Sequence, residues 1–330
     1  MKSTLFASLF LFSLISQGQS DQRVNNSFVA FTIPEKDLLP ESIAYDSKEK
    51  AFYISSTRKG KVIKVDAEGN VTDFITSKKN GLWMTIGMKV DSKRRHLWVC
   101  SSGGENLVGY NLKDEIDGRP AGIFKFDLTT GELIKKYTFE KKGEVHFMND
   151  LVIARNGTVF VTHMFNEHSI YRIGSNDKLE LLLTSTDIPY PNGLALADNQ
   201  RTLFVAHSNG ISSINLETKS IKALTVPDGE NISKRASIDG LYYYKWKLFG
   251  VHPSTSTISM MPLNENGDGL KEVKVLERNH PMMMNPTTGV LVANEFYYIA
   301  NAQFDSFNED GTLWPMQKLY EPVVLKVKID

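Results

Sequence analysis

The sequence predicts an all-β fold: a six-bladed β-propeller of four-stranded blades, with an N-terminal strand completing the last blade. Three observations carry this expectation. A pair of strand cores recurs six times, the recurrence has the period of a propeller blade, and a strand missing from the last repeat is found at the other end of the chain. The first core reads FYIS, LWVC, VFVT, LFVA, LFGV and YYIA. Its third residues are Ile54, Val99, Val161, Val205, Gly250 and Ile299, at intervals of 45, 62, 44, 45 and 49 positions.

The elements follow in chain order. Residues 1–20 read as a secretory signal peptide: Lys2, an apolar run from Leu5 to Ile15, then polar and small residues through Ser20. The run is shorter than the roughly 20 residues needed to span a bilayer. No cysteine lies near the expected cleavage point, so no membrane anchor is expected. Residues 21–330 then form one propeller domain, since barrels and propellers of this length are commonly single units. Ser27 to Pro34 (SFVAFTIP) is β-rich and belongs to no repeat. Within each repeat a second core follows the first: VIKVD, IFKFD, IYRI, ISSINL, ISMMPL and VLKVKI. A further β-rich run closes five of the six: NVTDFI, ELIKKYTF, KLELLLT, SIKALT and EVKVL. The sixth ends at Asp330 without one, so Ser27–Pro34 is expected to supply it and hide an open strand edge. The long second interval reflects an insert, Gly103 to Gly122, expected to border one mouth of the channel.

Composition narrows the function classes. Lys and Arg number 38 and so do Asp and Glu, with no basic run, which argues against nucleic acid as a partner. Cys100 is the only cysteine, so an exported chain would be held without an internal disulfide.

Eleven to thirteen residues before four of the marked positions stand Glu41, Asn149, Asn192 and Asp239, in PESIAYD, MNDLVIA, PNGLALA and IDGLYYY. Each is expected to open the innermost strand of its blade, so that the four side chains converge on the central channel. Asn-Gly and Asp-Gly are also hairpin-turn signals, which would explain Asn192 or Asp239 taken singly. Turns give no reason for recurrence at the channel end of four blades. Two carboxylates and two amides are hard oxygen donors suited to Ca2+ or another divalent cation. Zinc would call for Cys or His at ligand spacing.

With these motifs the chain resembles the senescence marker protein, gluconolactonase and regucalcin family over essentially its whole mature length. The resemblance implies a propeller with an axial divalent metal. It implies Glu41, Asn192 and Asp239 as ligands, with Asn149 beside the metal on the substrate side or also ligating. Asp239 and Asn149 become the catalytic pair, Asp239 as general base in lactone hydrolysis. Two departures matter. Sugar-lactone members carry an arginine where this chain has Phe147, so a polyol substrate is less expected. Related calcium-dependent paraoxonases use a histidine near the position of Ile86, and none stands there. Met84, Phe147, His163 and Asn285 are expected in the substrate pocket, with Trp83, Met148, Met164, Phe165 and Met282 to Met284 near the mouth. Methionine clusters are also common core filler. His163 or His146 could serve as an acid or base; His207 and His252 read as buried structural imidazoles.

The first expectation is therefore an exported, monomeric, calcium-dependent hydrolase of a small-molecule lactone or related ester, secreted or periplasmic. No G-x-S-x-G elbow is present, so water would be the nucleophile. The alternative is a non-catalytic small-ligand-binding propeller, because LWVCSSGG and AGIFKFDLTTGELIKKY also resemble insect yellow and royal jelly proteins. A protein-interaction propeller ranks last, since the chosen polar residues point to an axis and not a rim.

Overall fold

The computed structural model describes residues 22–110, 118–141, 143–228, 230 and 238–329. The expected signal peptide lies outside them, as does the middle of the blade-two insert. Strand β1 (Phe28–Thr32) comes first. Blade one follows as β2 (Pro40–Asp46), β3 (Ala51–Ser56), β4 (Lys61–Val65) and β5 (Val71–Ile75). Blade two is β6 (Met84–Asp91), β7 (His96–Ser102), β8 (Ala121–Asp127) and β9 (Leu133–Phe139). Blade three is β10 (Met148–Ile153), β11 (Val159–His163), β12 (Ser169–Ile173) and β13 (Leu179–Thr184). Blade four is β14 (Leu194–Leu196), β15 (Thr202–His207), β16 (Gly210–Asn215) and β17 (Ile221–Ala223). Blade five is β18 (Leu241–Tyr244), β19 (Lys247–His252), β20 (Thr257–Pro262) and β21 (Lys274–Arg278). Blade six joins β22 (Gly289–Val292), β23 (Glu295–Ile299) and β24 (Val323–Lys328) to β1.

Every blade is an antiparallel four-stranded sheet, and the recurring first core is the second strand of each. Both faces of a blade pack on neighbours, which is why these strands read as apolar runs and not as strict alternation. Apolar clusters fill the six junctions. Tyr53, Val62 and Ile75 of blade one meet Met88, Val99 and Phe124 of blade two, and Ile43, Ile54 and Ile63 meet Ile299 and Val324 of blade six.

The ring closes as the sequence implies. β1 pairs antiparallel with β24, Phe28 opposite Lys326 and Thr32 opposite Val323. A buried carboxylate that sequence reading overlooked reinforces the closure. Glu277 on β21 accepts hydrogen bonds from the backbone N–H of Asn26 and Ser27 at 2.9 and 2.8 Å, and the Tyr298 hydroxyl donates to Ser27 Oγ at 2.8 Å. The first residues of the propeller are thus held by blades five and six together.

Candidate functional site

The same backbone irregularity opens the innermost strand of all six blades. In blade one Pro40 faces Ser56 and Ile43 faces Ile54, so Glu41 and Ser42 together oppose Ser55. Likewise Ile86 and Gly87 oppose Cys100, and Asn149 and Asp150 oppose Thr162. Backbone bonds show the same step in the other blades. Asn192 N–H donates to Ala206 O and Ala206 N–H to Gly193 O, at 2.8 and 2.9 Å; Asp239 and Gly240 bracket Val251, and Thr287 and Thr288 bracket Ile299, in the same way. A bulge of two residues against one bends a strand and re-aims its side chains.

The second bulge residue faces the next blade. Ser42 Oγ accepts from Met88 N–H, Asp150 Oδ2 from Leu194 N–H, and Thr288 Oγ1 donates to Glu41 O. Where glycine stands instead, the neighbouring backbone moves in: a Cβ on Gly87 would lie 2.3 Å from Asn149 O, and one on Gly193 2.6 Å from Asp239 O.

The first bulge residues are Glu41, Ile86, Asn149, Asn192, Asp239 and Thr287, and the polar ones gather. Asn149 Nδ2 donates to Asn192 Oδ1 at 2.7 Å, and Asn192 Nδ2 donates to Asp239 Oδ1 at 3.0 Å. Glu41 is buried and accepts no side-chain hydrogen bond from the described residues. Burial first, then the charges of Asp239 and Asp150, push its carboxyl well above the usual range. Burial likewise raises Asp239, to about 6, against the pull of the Asn192 hydrogen bond and with the push of Asp150. Thr287 is 1% exposed, and its Oγ1 has no hydrogen-bond partner among the described residues.

A second charged layer adjoins the ring. Lys89 Nζ lies 2.9 Å from Asp150 Oδ1 and 5.5 Å from the Tyr242 ring centroid. Burial works against the Lys89 charge, but Asp150 and Tyr242 outweigh it and hold the ammonium protonated. This cation is committed to Asp150, which leaves Glu41 and Asp239 without a comparable partner. Two buried carboxylates in that condition, two amides and an orphaned hydroxyl form a donor set that fits a hard divalent cation. Among the described residues no three His, Cys, Asp or Glu side chains cluster as a metal-ligand group, so a cation here would depend on the amide oxygens as well.

The ring borders a cavity of about 280 Å3, lined by Glu41, Met84, Ile86, Phe147, Arg119 and Phe304 among others. Met84 and Phe147, two of the residues expected in a substrate pocket, both line this cavity. His163 does not line this cavity. It is 2% exposed, its Nε2 is 3.0 Å from His146 Nδ1, and Phe139 and Tyr171 pack against its ring. Burial, with His146 and His168 adding to it against a hydrogen bond to the backbone carbonyl of Glu167, lowers its pKa to about 4. The expectation of a pocket role is corrected for this reason: Phe139 of blade two and Tyr171 of blade three enclose the imidazole. Asn285 does not line the cavity either; its Nδ2 donates to Asp305 Oδ2 at 2.7 Å. Met282 to Met284 line a separate cleft with Tyr320 and Val323.

Sequence reasoning missed Thr287, although it stands twelve residues before Ile299, the spacing that found the other four. It also missed Lys89, whose signal was a charge inside an innermost strand, and Asp150, hidden beside Asn149. Arg119 carried no signal, because its place depends on the path of the insert.

A six-bladed propeller whose axial bulges gather acids and amides, with Glu41 reaching a small cavity, defines the class of protein. The chain belongs to the SMP-30/gluconolactonase/LRE-like family, whose model matches residues 39–238. The sequence finds no match among curated proteins. Among solved structures it is similar to a gluconolactonase from Xanthomonas campestris, at 13% identity and TM-score 0.60, over 92% of this chain and 95% of that one. It is similar to the major allergen Mala s 1 of Malassezia sympodialis, at 14% identity and TM-score 0.66, over 89% and 95%. It is also similar to virginiamycin B lyase from Staphylococcus aureus, at 14% identity and TM-score 0.57, over 91% and 98%. Such distant likenesses establish the shared fold, while the family match supports a lactonase-type hydrolase at the level of the family.

Proposed function

We propose that this protein is an exported hydrolase of a small-molecule lactone or related ester, dependent on calcium or another divalent cation. The observation that carries the reading is the pairing of Glu41 and Asp239: two buried carboxyls with raised proton affinity, of which Glu41 lines the cavity. Glu41, Asn149, Asn192 and Asp239 would hold the cation, with Thr287 at hand. When bound, it would supply Lewis-acid polarisation of the ester carbonyl. The protein's own groups do the rest. Asp239, with a pKa of about 6, takes a proton from water as the water oxygen bonds to the carbonyl carbon. The carbon–oxygen bond of the ester then breaks, and the departing alkoxide recovers that proton to give a hydroxy acid. Contact with a cation would lower the basicity of Asp239, so the burial that raises it matters. Asn149 Nδ2 can turn from Asn192 to a substrate oxygen. Met84, Ile86 and Phe147 keep bulk water from the reacting carbon.

One observation favours a second reading, a propeller that binds a small ligand without turnover. The chain of hydrogen bonds from Asn149 through Asn192 to Asp239 satisfies these groups without a cation. Initial rates on a panel of lactones and aryl esters decide between the two, with calcium and with a chelator, for wild type and Asp239→Ala. The hydrolase reading expects turnover that needs calcium and falls by about a hundredfold or more in the variant. Equal rates in both proteins, or none in either, would remove it. Export requires that residues 1–20 be absent from the mature secreted chain, which intact-mass measurement reads directly.

A further inference from the structure

The cavity beside the axial ring is chemically uneven. Met84, Ile86, Phe147 and Phe304 give it apolar walls, Glu41 connects it to the ring, and Glu105 and Arg119 add a facing pair of opposite charges. Arg119 is anchored through its backbone: its N–H donates to Glu144 O at 2.9 Å, and its carbonyl accepts from His146 N–H at 2.8 Å. Its side chain is 30% exposed, yet its ion pair is a loose one. Arg119 Nη2 reaches Glu105 Oε1 at 3.4 Å, and that glutamate is 71% exposed. So open a pair contributes little, and among the described residues Glu105 is the one side-chain partner of the five guanidinium donors.

Resting on the ester-hydrolase reading of the ring, we propose that Arg119 is a specificity-determining residue. It selects a lactone or ester with an apolar body and a terminal carboxylate, which displaces Glu105 from the guanidinium. The chemistry is complementary at both ends. A carboxylate matches the planar fork through two parallel N–H···O bonds, which the exposed Glu105, at one 3.4 Å contact, does not make. The methionine and phenylalanine walls match an apolar body, whereas a neutral polyol would leave hydroxyls unpaired against them. At about 280 Å3 the cavity takes a short ligand.

The test compares two lactones of equal length, one with an alkyl terminus and one with a terminal carboxylate. The ratio of kcat/KM, carboxylated over neutral, is expected to fall about tenfold in Arg119→Ala, recover in part in Arg119→Lys, and rise in Glu105→Gln. A ratio unchanged in all three variants overturns the assignment. A second arm does not depend on turnover: calorimetric binding of hexanoate with chelator present, so that no cation in the ring can bind it. The assignment expects hexanoate to bind wild type and to bind Arg119→Ala at least about tenfold more weakly, both proteins melting alike. If that holds while neither lactone is hydrolysed, the hydrolase reading fails and the carboxylate site stands. Equal binding by the two proteins, or none by wild type, overturns the site itself.

Discussion

Asn192 donates from Nδ2 to Asp239 Oδ1 at 3.0 Å, joining residues 47 positions apart across the junction of blades four and five. The amide thereby lowers a carboxyl that burial raises. Asn192→Ala removes both an oxygen donor and this restraint. Calcium affinity and lactone hydrolysis are each expected to fall by about 10–100-fold, the usual cost of losing a group that orients a ligand. Calcium titrations and initial rates of the variant measure both.

The raised pKa of Asp239 has a defined sign in the metal-free protein. A carboxyl raised from 3.8 to about 6 by folding favours the protonated folded state. Its contribution is complete below the unfolded value and is lost as pH rises through about 6, on the order of 3 kcal/mol in all. His163 and His207, each lowered to about 4, act oppositely between pH 4 and 6.5. Chelated wild type is therefore compared with Asp239→Asn. The variant should gain stability on the wild type from pH 5 to pH 8, and parallel melting curves would contradict this.

Gly193 of blade four lies directly against the backbone of blade five. A Cβ there would meet Leu241 N at 2.5 Å and Asp239 O at 2.6 Å. Gly193→Ala is expected to destabilise by about 1–3 kcal/mol through overpacking against backbone. Because it displaces Asp239, it should also impair hydrolysis. Gly174→Ala, with its nearest neighbour a side-chain atom 3.8 Å away, is the control and should change neither. Denaturant unfolding of the two variants reads the difference.

Lys89→Met strands the Asp150 carboxylate, whose side chain is only 3% exposed. Removing one partner of a buried pair costs about 3–5 kcal/mol. Adding Asp150→Asn should recover part of the loss. A double variant no more stable than Lys89→Met would show that the pair is not the cause.

The architecture was legible because each blade repeats the same apolar runs, and because SFVAFTIP had no other sheet to join. Glu41, Asn149, Asn192 and Asp239 were legible through their common spacing. Thr287 was not, since a threonine before Thr-Gly carries no charge or turn signal to draw notice. The bulges that aim all of these side chains are a matter of register between strands, and a period-of-two reading passes over them. Lys89 and Asp150 meet across a blade junction, a contact that no local pattern encodes. His163 shows the opposite failure: its residue type suggested chemistry, whereas the rings of Phe139 and Tyr171 determine its environment.

Calorimetric titration of the chelator-stripped protein with calcium addresses the axial ring most directly. Wild type should bind one equivalent per chain, and the double variant Glu41→Gln, Asp239→Asn should bind none. No saturable binding by wild type, or undiminished binding by the double variant, would contradict the account.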